Sequence, residues 1–373
     1  MQVVFMTSNP FIEQQKIDMY VDAVREICTV QLWDLSRIYN RKEKVSDQVQ
    51  EAVKINSCEE LDQKLKQLIE KDKVSIVTNI TIPALKKIYS IIKSCGIPII
   101  NINKEGLAAW LGDTASAENL KEENRGNKLK FFLKKYRFFR SVINGIKYPH
   151  VKYDYLLSSY NFYPEESRKF VKIHQIKYDE FLMAKNQDSI IDGKYILFID
   201  AALVGHPMFA SSVNQMDRNE YIESLNRYFR MLEEKYHTPV VISSHPKANY
   251  SENDFEGRQI IKYKTPVLIQ HCEFIVSHYS TSLIDAVLMK KPIKVLYSDS
   301  LLKSSCRYCV LMGIKFADLL NLDKVDLAHP EMKDFYMNEQ TYQQFTEKYI
   351  VNVSESGKSN KQLIISFFQD LSK

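Results

Sequence analysis

Short apolar runs rich in Val, Ile and Phe alternate with stretches of helical periodicity twice along this chain. No other feature restricts its folds as much. In the first half, residues 2–6 (QVVFM), 29–33 (TVQLW), 74–80 (VSIVTNI) and 97–103 (IPIININ) read as strands. Between them, residues 12–27 and 58–71 repeat apolar positions at helical spacing, and Pro83 opens a further helix that Gly96 closes. Residues 153–162 and 169–176 read as late strands of the same set. A second set follows: strands at 195–200, 239–244, 259–263, 273–278 and 292–297, with helices over 218–235, 266–271 and 282–289. Alternation of this kind builds parallel sheets wrapped by helices, so the fold class is α/β. At 373 residues the chain suits two domains. The polar stretch 177–194 ends in the turn signal Asp192-Gly193 and holds the boundary. This gives a domain over 1–185, a second over 190–330, and a mostly helical tail, 331–373, expected to pack back across both.

Composition removes several function classes. There are ten glycines, and neither G-x-G-x-x-G nor G-x-x-x-x-G-K-[ST] occurs, so dinucleotide-binding and P-loop readings lose their fingerprint. The net charge of +5 does not by itself imply a nucleic-acid partner. The N-terminus lacks a basic flank and a long apolar core, and nowhere do about 18 uncharged apolar residues run together. A cytoplasmic protein is expected. Six scattered cysteines (28, 58, 95, 272, 306, 309) suit reduced thiols, and Cys306-Arg-Tyr-Cys309 is a lone C-x-x-C without a second pair. Segment 121–148 interleaves cations, among them Lys134 and Lys135, with Phe131, Phe132, Phe138 and Phe139. That is the composition of a helix lying on an anionic membrane surface, and equally of an amphipathic helix packed on its domain with a basic rim.

In parallel sheets ligands bind beyond the carboxyl ends of the strands, near a switch in strand order. Three strands of the second set end in groups fit for chemistry. Asp200 closes FID, His245-Pro246 follows ISS, and Ser280, Thr281 and Ser282 follow VSHY and lead into a helix. An imidazole with an ordinary pKa near 6.5 can give a hydrogen bond or proton to a departing phosphate. Pro246 sets its own φ and holds His245 extended. Ser and Thr at a helix start can donate to an anion. Asp200 is a candidate general base. Each also has a structural reading: a loop histidine, a loop-opening carboxylate, and a capping box formed by Ser282 with Asp285. His206-Pro207 is a second His-Pro pair but lies well into its loop.

Taken together, His245-Pro246 and Ser280-Thr281-Ser282 resemble the paired motifs of bacterial sialyltransferases and polysialyltransferases, and of related Kdo and pseudaminic acid transferases. The resemblance covers about residues 195–300. It implies a GT-B-like fold with two Rossmann-like parallel-sheet domains facing a cleft. It also implies transfer of an acidic sugar from a CMP-activated donor, with no metal or other cofactor required. His245 would contact or protonate the CMP phosphate, Pro246, Ser280, Thr281 and Ser282 would help hold it, and Asp285 would meet the ribose. The acidic pair followed by glycine that carries the base in polysialyltransferases is absent, and the nearest match is Asp200-Ala201-Ala202. The implied partners are a nucleotide-sugar donor and a surface glycan or lipid-linked acceptor, with peripheral contact at the inner membrane through 121–148. Alternatives are a UDP-sugar or CDP-polyol transferase of the same fold, a sugar-nucleotide epimerase, and a non-catalytic α/β binding module.

Overall fold

The computed structural model describes residues 1–41, 48–103, 107–108, 110–113, 148–204, 217–251 and 253–373. Segment 121–148, apart from Tyr148, and His206 lie outside the described residues. The chain forms two compact units. The first takes the described residues of 1–103 and 148–176, with 351–373. The second takes those of 107–113 and 177–350.

In the first unit β1 (Gln2–Thr7) is followed by α1 (Glu13–Asp18), α2 (Val21–Arg25), β2 (Thr29–Asp34), β3 (Val53–Lys54), α3 (Cys58–Ile69), β4 (Val74–Thr78), α4 (Ile82–Ser94), β5 (Ile99–Asn103), β6 (Tyr153–Ser158) and β7 (Ser167–Lys172). Among the described residues these strands form one sheet of order β3-β2-β1-β4-β5-β6-β7, with parallel pairings throughout. β4 is buried at every position, as expected for a strand covered on both faces. Ser57 caps α3 by accepting from the Glu60 N–H at 3.2 Å, and Pro83 sits in the first turn of α4. The single helix expected over 12–27 is instead two. Tyr20 breaks it at φ 56°, and beyond the break Val21, Ala23 and Val24 are buried.

The second unit contains α5 (Lys177–Ala184), β8 (Ile196–Ile199), α6 (Arg218–Tyr236), β9 (Val240–Ser244), β10 (Ile260–Lys262), α7 (Thr265–His271), β11 (Phe274–Ser277), α8 (Leu283–Leu288), β12 (Ile293–Tyr297), α9 (Asp299–Lys303), α10 (Arg307–Leu320), β13 (Asp323–Asp326) and α11 (Glu339–Phe345). Its described strands form a second parallel sheet, β10-β9-β8-β11-β12-β13. Both sheets therefore start at an inner strand, run outward, and return to the other side of it. This is doubly wound Rossmann-like order with a switch point beside the first strand. The fold is the expected α/β, GT-B-like build of two Rossmann-like sheets. The core of the second unit gathers Ile196, Phe198, Tyr221, Phe229, Ile242 and Val276 under the sheet.

The chain passes from the first unit to the second at Ile176–Lys177, so α5 packs with α7 and α8 of the second unit. The tail divides. Residues up to Ile350 stay with the second unit, and α12 (Asn360–Ser372) returns to the first, where Leu363, Ile364 and Phe368 enter its core.

Candidate phosphate-handling site

β9, β8 and β11 are neighbours in one parallel sheet, so Asp200, His245 and Ser280–Ser282 leave it at the same edge. Strands lie about 4.8 Å apart, which sets the tips of β9 and β11 roughly 10 Å from each other across β8. The switch point of this sheet falls between β8 and β11. Asp200, His245 and Ser280–Ser282 therefore leave the sheet beside its switch point.

Asp200 ties this edge together. It is 3% exposed, and its Oδ1 accepts from the Ala202 N–H at 2.8 Å and from the Tyr250 hydroxyl at 3.0 Å. Oδ2 accepts from the His245 main-chain N–H at 3.2 Å. Burial raises its pKa, and these three donors oppose that rise. Ala202 takes φ 50°, the left-handed region that an L side chain seldom adopts, and its N–H bond to Asp200 helps hold it there. Tyr250 was not singled out in the sequence. Its only signal is a place five residues after the histidine, on the far side of a turn.

That turn spans 245–248. The Ala248 N–H donates to the His245 carbonyl at 2.9 Å, with Pro246 at the position where its fixed φ suits a turn. The Lys247 N–H donates to His245 Nδ1 at 3.2 Å. Nδ1 is thus an acceptor, which assigns the proton of the neutral ring to Nε2. His245 is half-buried, and Pro246 and Lys247 are exposed.

The hydroxyl turn is built differently from the capping box the spacing suggests. Ser282 stands at the start of α8 with φ −69° and ψ −10° and makes no side-chain cap. Its N–H donates to Ser280 Oγ at 3.2 Å. Thr281 is exposed, and Ser280 and Ser282 are half-buried. Asp285 turns inward instead. It is 0% exposed, neither carboxylate oxygen has a hydrogen-bond partner, and Lys177 Nζ stands 3.8 Å from Oδ2. Burial pushes its pKa up to about 8, against the attraction of Lys177. A side chain in this position does not present itself to a ribose.

Directly before the hydroxyl turn, His278 is fully buried. Its Nδ1–H donates to the Leu296 carbonyl at 2.9 Å, so Nε2 accepts from the Tyr221 hydroxyl, also at 2.9 Å. Burial lowers its pKa to about 4 and keeps the ring neutral. It pins the exit of β11 to β12 and α6. Burial holds both thiols of the C-x-x-C pair protonated. Cys306 is buried and donates to the Leu203 carbonyl, and burial pushes the Cys309 thiol up to about 11. Among the described residues no group of three His, Cys, Asp or Glu side chains is placed to hold a metal, and no helix is long and apolar enough to cross a membrane.

No protein-family model matches this sequence, and no curated protein matches it. Solved structures of similar build exist. A UDP-GlcNAc 2-epimerase from Methanocaldococcus jannaschii is 11% identical over 99% of this chain and 100% of that one, with a TM-score of 0.46. MurG of Acinetobacter baumannii is 10% identical over 99% of both chains, with a TM-score of 0.47. MnaA of S. aureus, solved with UDP, is 15% identical over 100% of this chain and 98% of that one, at 0.43. Scores this low carry no argument about the chemistry of this chain, and the fold rests on its strand order.

Proposed function

We propose that this chain is a glycosyltransferase using a nucleotide-activated sugar, with the donor phosphate gripped between the His245-Pro246 turn and the Ser280–Ser282 turn. One observation carries the reading. Three adjacent parallel strands deliver Asp200, His245 and the hydroxyls to one carboxyl edge beside a switch in strand order. In this reading an acceptor hydroxyl bonds to the anomeric carbon and gives up its proton to water as the bond between sugar and phosphate breaks, and Nε2–H of His245 donates to a phosphate oxygen, which stabilises the leaving group. The hydroxyls of Ser280, Thr281 and Ser282 add donors without bulk. Asp200, expected as the general base, acts here as a positioning residue, because its carboxylate already accepts from Ala202, Tyr250 and His245. With Asp285 buried, the ribose receives no carboxylate from this turn.

The finer reading is a CMP-activated acidic sugar donated to a surface glycan or lipid-linked acceptor, with segment 121–148 docking at the inner membrane face. It is supported by the paired His-Pro and Ser-Thr-Ser motifs and by the basic aromatic composition of that segment. Thermal melts of the full chain with CMP, UDP, CDP and GDP test the donor, since a ligand that binds the native state raises its apparent stability. CMP is expected to shift the melt. A shift with UDP alone overturns the CMP reading and keeps the transferase one. His245→Ala is expected to lower turnover by about a hundredfold or more with an unchanged melt. Near-full activity in that variant removes His245 from the reaction, and interconversion of free sugar nucleotide without an acceptor replaces transfer by epimerisation.

A further inference from the structure

A cavity of about 350 Å³ opens over β12 and β13, on the part of the second sheet farthest from the His245 turn. Its lining includes Lys294, Tyr297, Asp323, Lys324, Asp326 and Lys333. Five of these stand at or near the surface, but Lys294 is 1% exposed. A buried ammonium is costly unless an anion and hydrogen bonds compensate it.

Among the described residues, the other cations of this cavity are already neutralised. Lys324 pairs with Asp318 at 2.6 Å and Lys333 with Glu331 at 2.9 Å. Lys294 has no carboxylate within ion-pair distance. It donates to the Lys333 carbonyl and lies 4.7 Å from the centre of the Phe335 ring, a weak substitute for a counter-charge. An ammonium carries three donors, so capacity for an anion remains. Burial lowers its pKa, with Asp323, its register partner across the strands, opposing. The lining also supplies acceptors in Asp323 and Asp326, whose Oδ1 accepts from the Ala328 N–H at 3.0 Å, and a ring in Tyr297. A buried ammonium with donors to spare, carboxylate acceptors and an aromatic face together complement a small body bearing both an anion and hydroxyls.

The structure assigns this cavity as a binding site for a sugar anion, carboxylate or phosphate, whose charge meets Lys294 and whose hydroxyls meet Asp323 and Asp326. The assignment is independent of the proposed transfer reaction, and nothing in the strand-tip motifs implies it.

Titration calorimetry and thermal melts on the full chain with D-glucuronate, glucose 1-phosphate and D-glucose test it. Binding of glucuronate or glucose 1-phosphate is expected, and the stronger of the two identifies the anion. Loss of a charge-assisted contact predicts that Lys294→Met weakens that Kd by about 10- to 100-fold. Should that variant fail to fold, Asp323→Asn and Asp326→Asn, both nearer the surface, are each expected to weaken binding severalfold. Glucose 1-phosphate also suits the strand-tip phosphate grip, so the cavity is read from the binding that survives in His245→Ala. Absence of binding by both anions, equal binding of D-glucose, or a loss in His245→Ala without one in the cavity variants overturns the assignment.

Discussion

Asp285 is the residue at which environment and chemistry conflict most directly. Its carboxyl is fully buried without a hydrogen bond, and its pKa stands near 8 rather than 3.8. The folded state therefore binds a proton here that the unfolded chain has released across the range between those values. Stability from this group is fully present below the unfolded pKa and declines as pH rises through 8. Asp285→Asn removes the titration. Its melting temperature is expected to exceed that of the parent chain by a margin that widens from pH 5 to pH 9, and melts across that range check it. A margin independent of pH contradicts the buried acid. At this scale the sequence was legible in identity and not in direction. Asp285 stands three residues after Ser282, the spacing of a cap, and only the packing of α5 against α8 turns it inward beside Lys177.

At the scale of elements, the strand tips depend on helices that hold them from behind. Gly313 on α10 lets that helix approach the β11 exit so closely that a Cβ there would stand 2.7 Å from the His278 carbonyl oxygen and 3.2 Å from Val295 Cγ1. The first neighbour is backbone and cannot swing away. Gly313→Ala is expected to cost about 1–3 kcal/mol in urea unfolding and to displace the turn that carries Ser280. A stability within experimental error of the parent chain would show that α10 shifts freely. The strands that the sequence revealed are those covered on both faces, whose runs are almost wholly apolar, as in β4, β8 and β9. β3 and β13 were not legible. β3 has two residues, both exposed, and β13 reads DKVD with Val325 alone fully buried. Edge strands of this kind carry polar residues and lose the apolar signal. The break at Tyr20 was hidden for another reason: apolar spacing reports the buried face and is silent about a single left-handed residue.

Across the whole molecule, the tail joins sequence-distant parts of the first unit. Asn360 accepts from the His174 N–H at 2.8 Å and donates to its carbonyl at 3.0 Å, while the Asn352 N–H donates to His174 Nδ1 at 3.0 Å. Leu363, Ile364 and Phe368 fill the core below. Burying such side chains contributes about 1.5–3 kcal/mol each, so together they rival the net stability of a domain. Truncation after Ile350 is expected to abolish cooperative unfolding of the first unit while the second still melts, as differential scanning calorimetry reads it. Two intact transitions would contradict that dependence. The two α/β sets, the parallel pairing and the strand tips that bear Asp200, His245 and Ser280–Ser282 were legible in the sequence. These follow from local periodicity and from where apolar runs stop. That β8 lies between β9 and β11, that Tyr250 and the His245 turn converge on Asp200, and that Lys294 is buried beside a cavity became visible in the folded chain alone. Strand order and burial arise from contacts between residues far apart in the chain, and no local pattern encodes them.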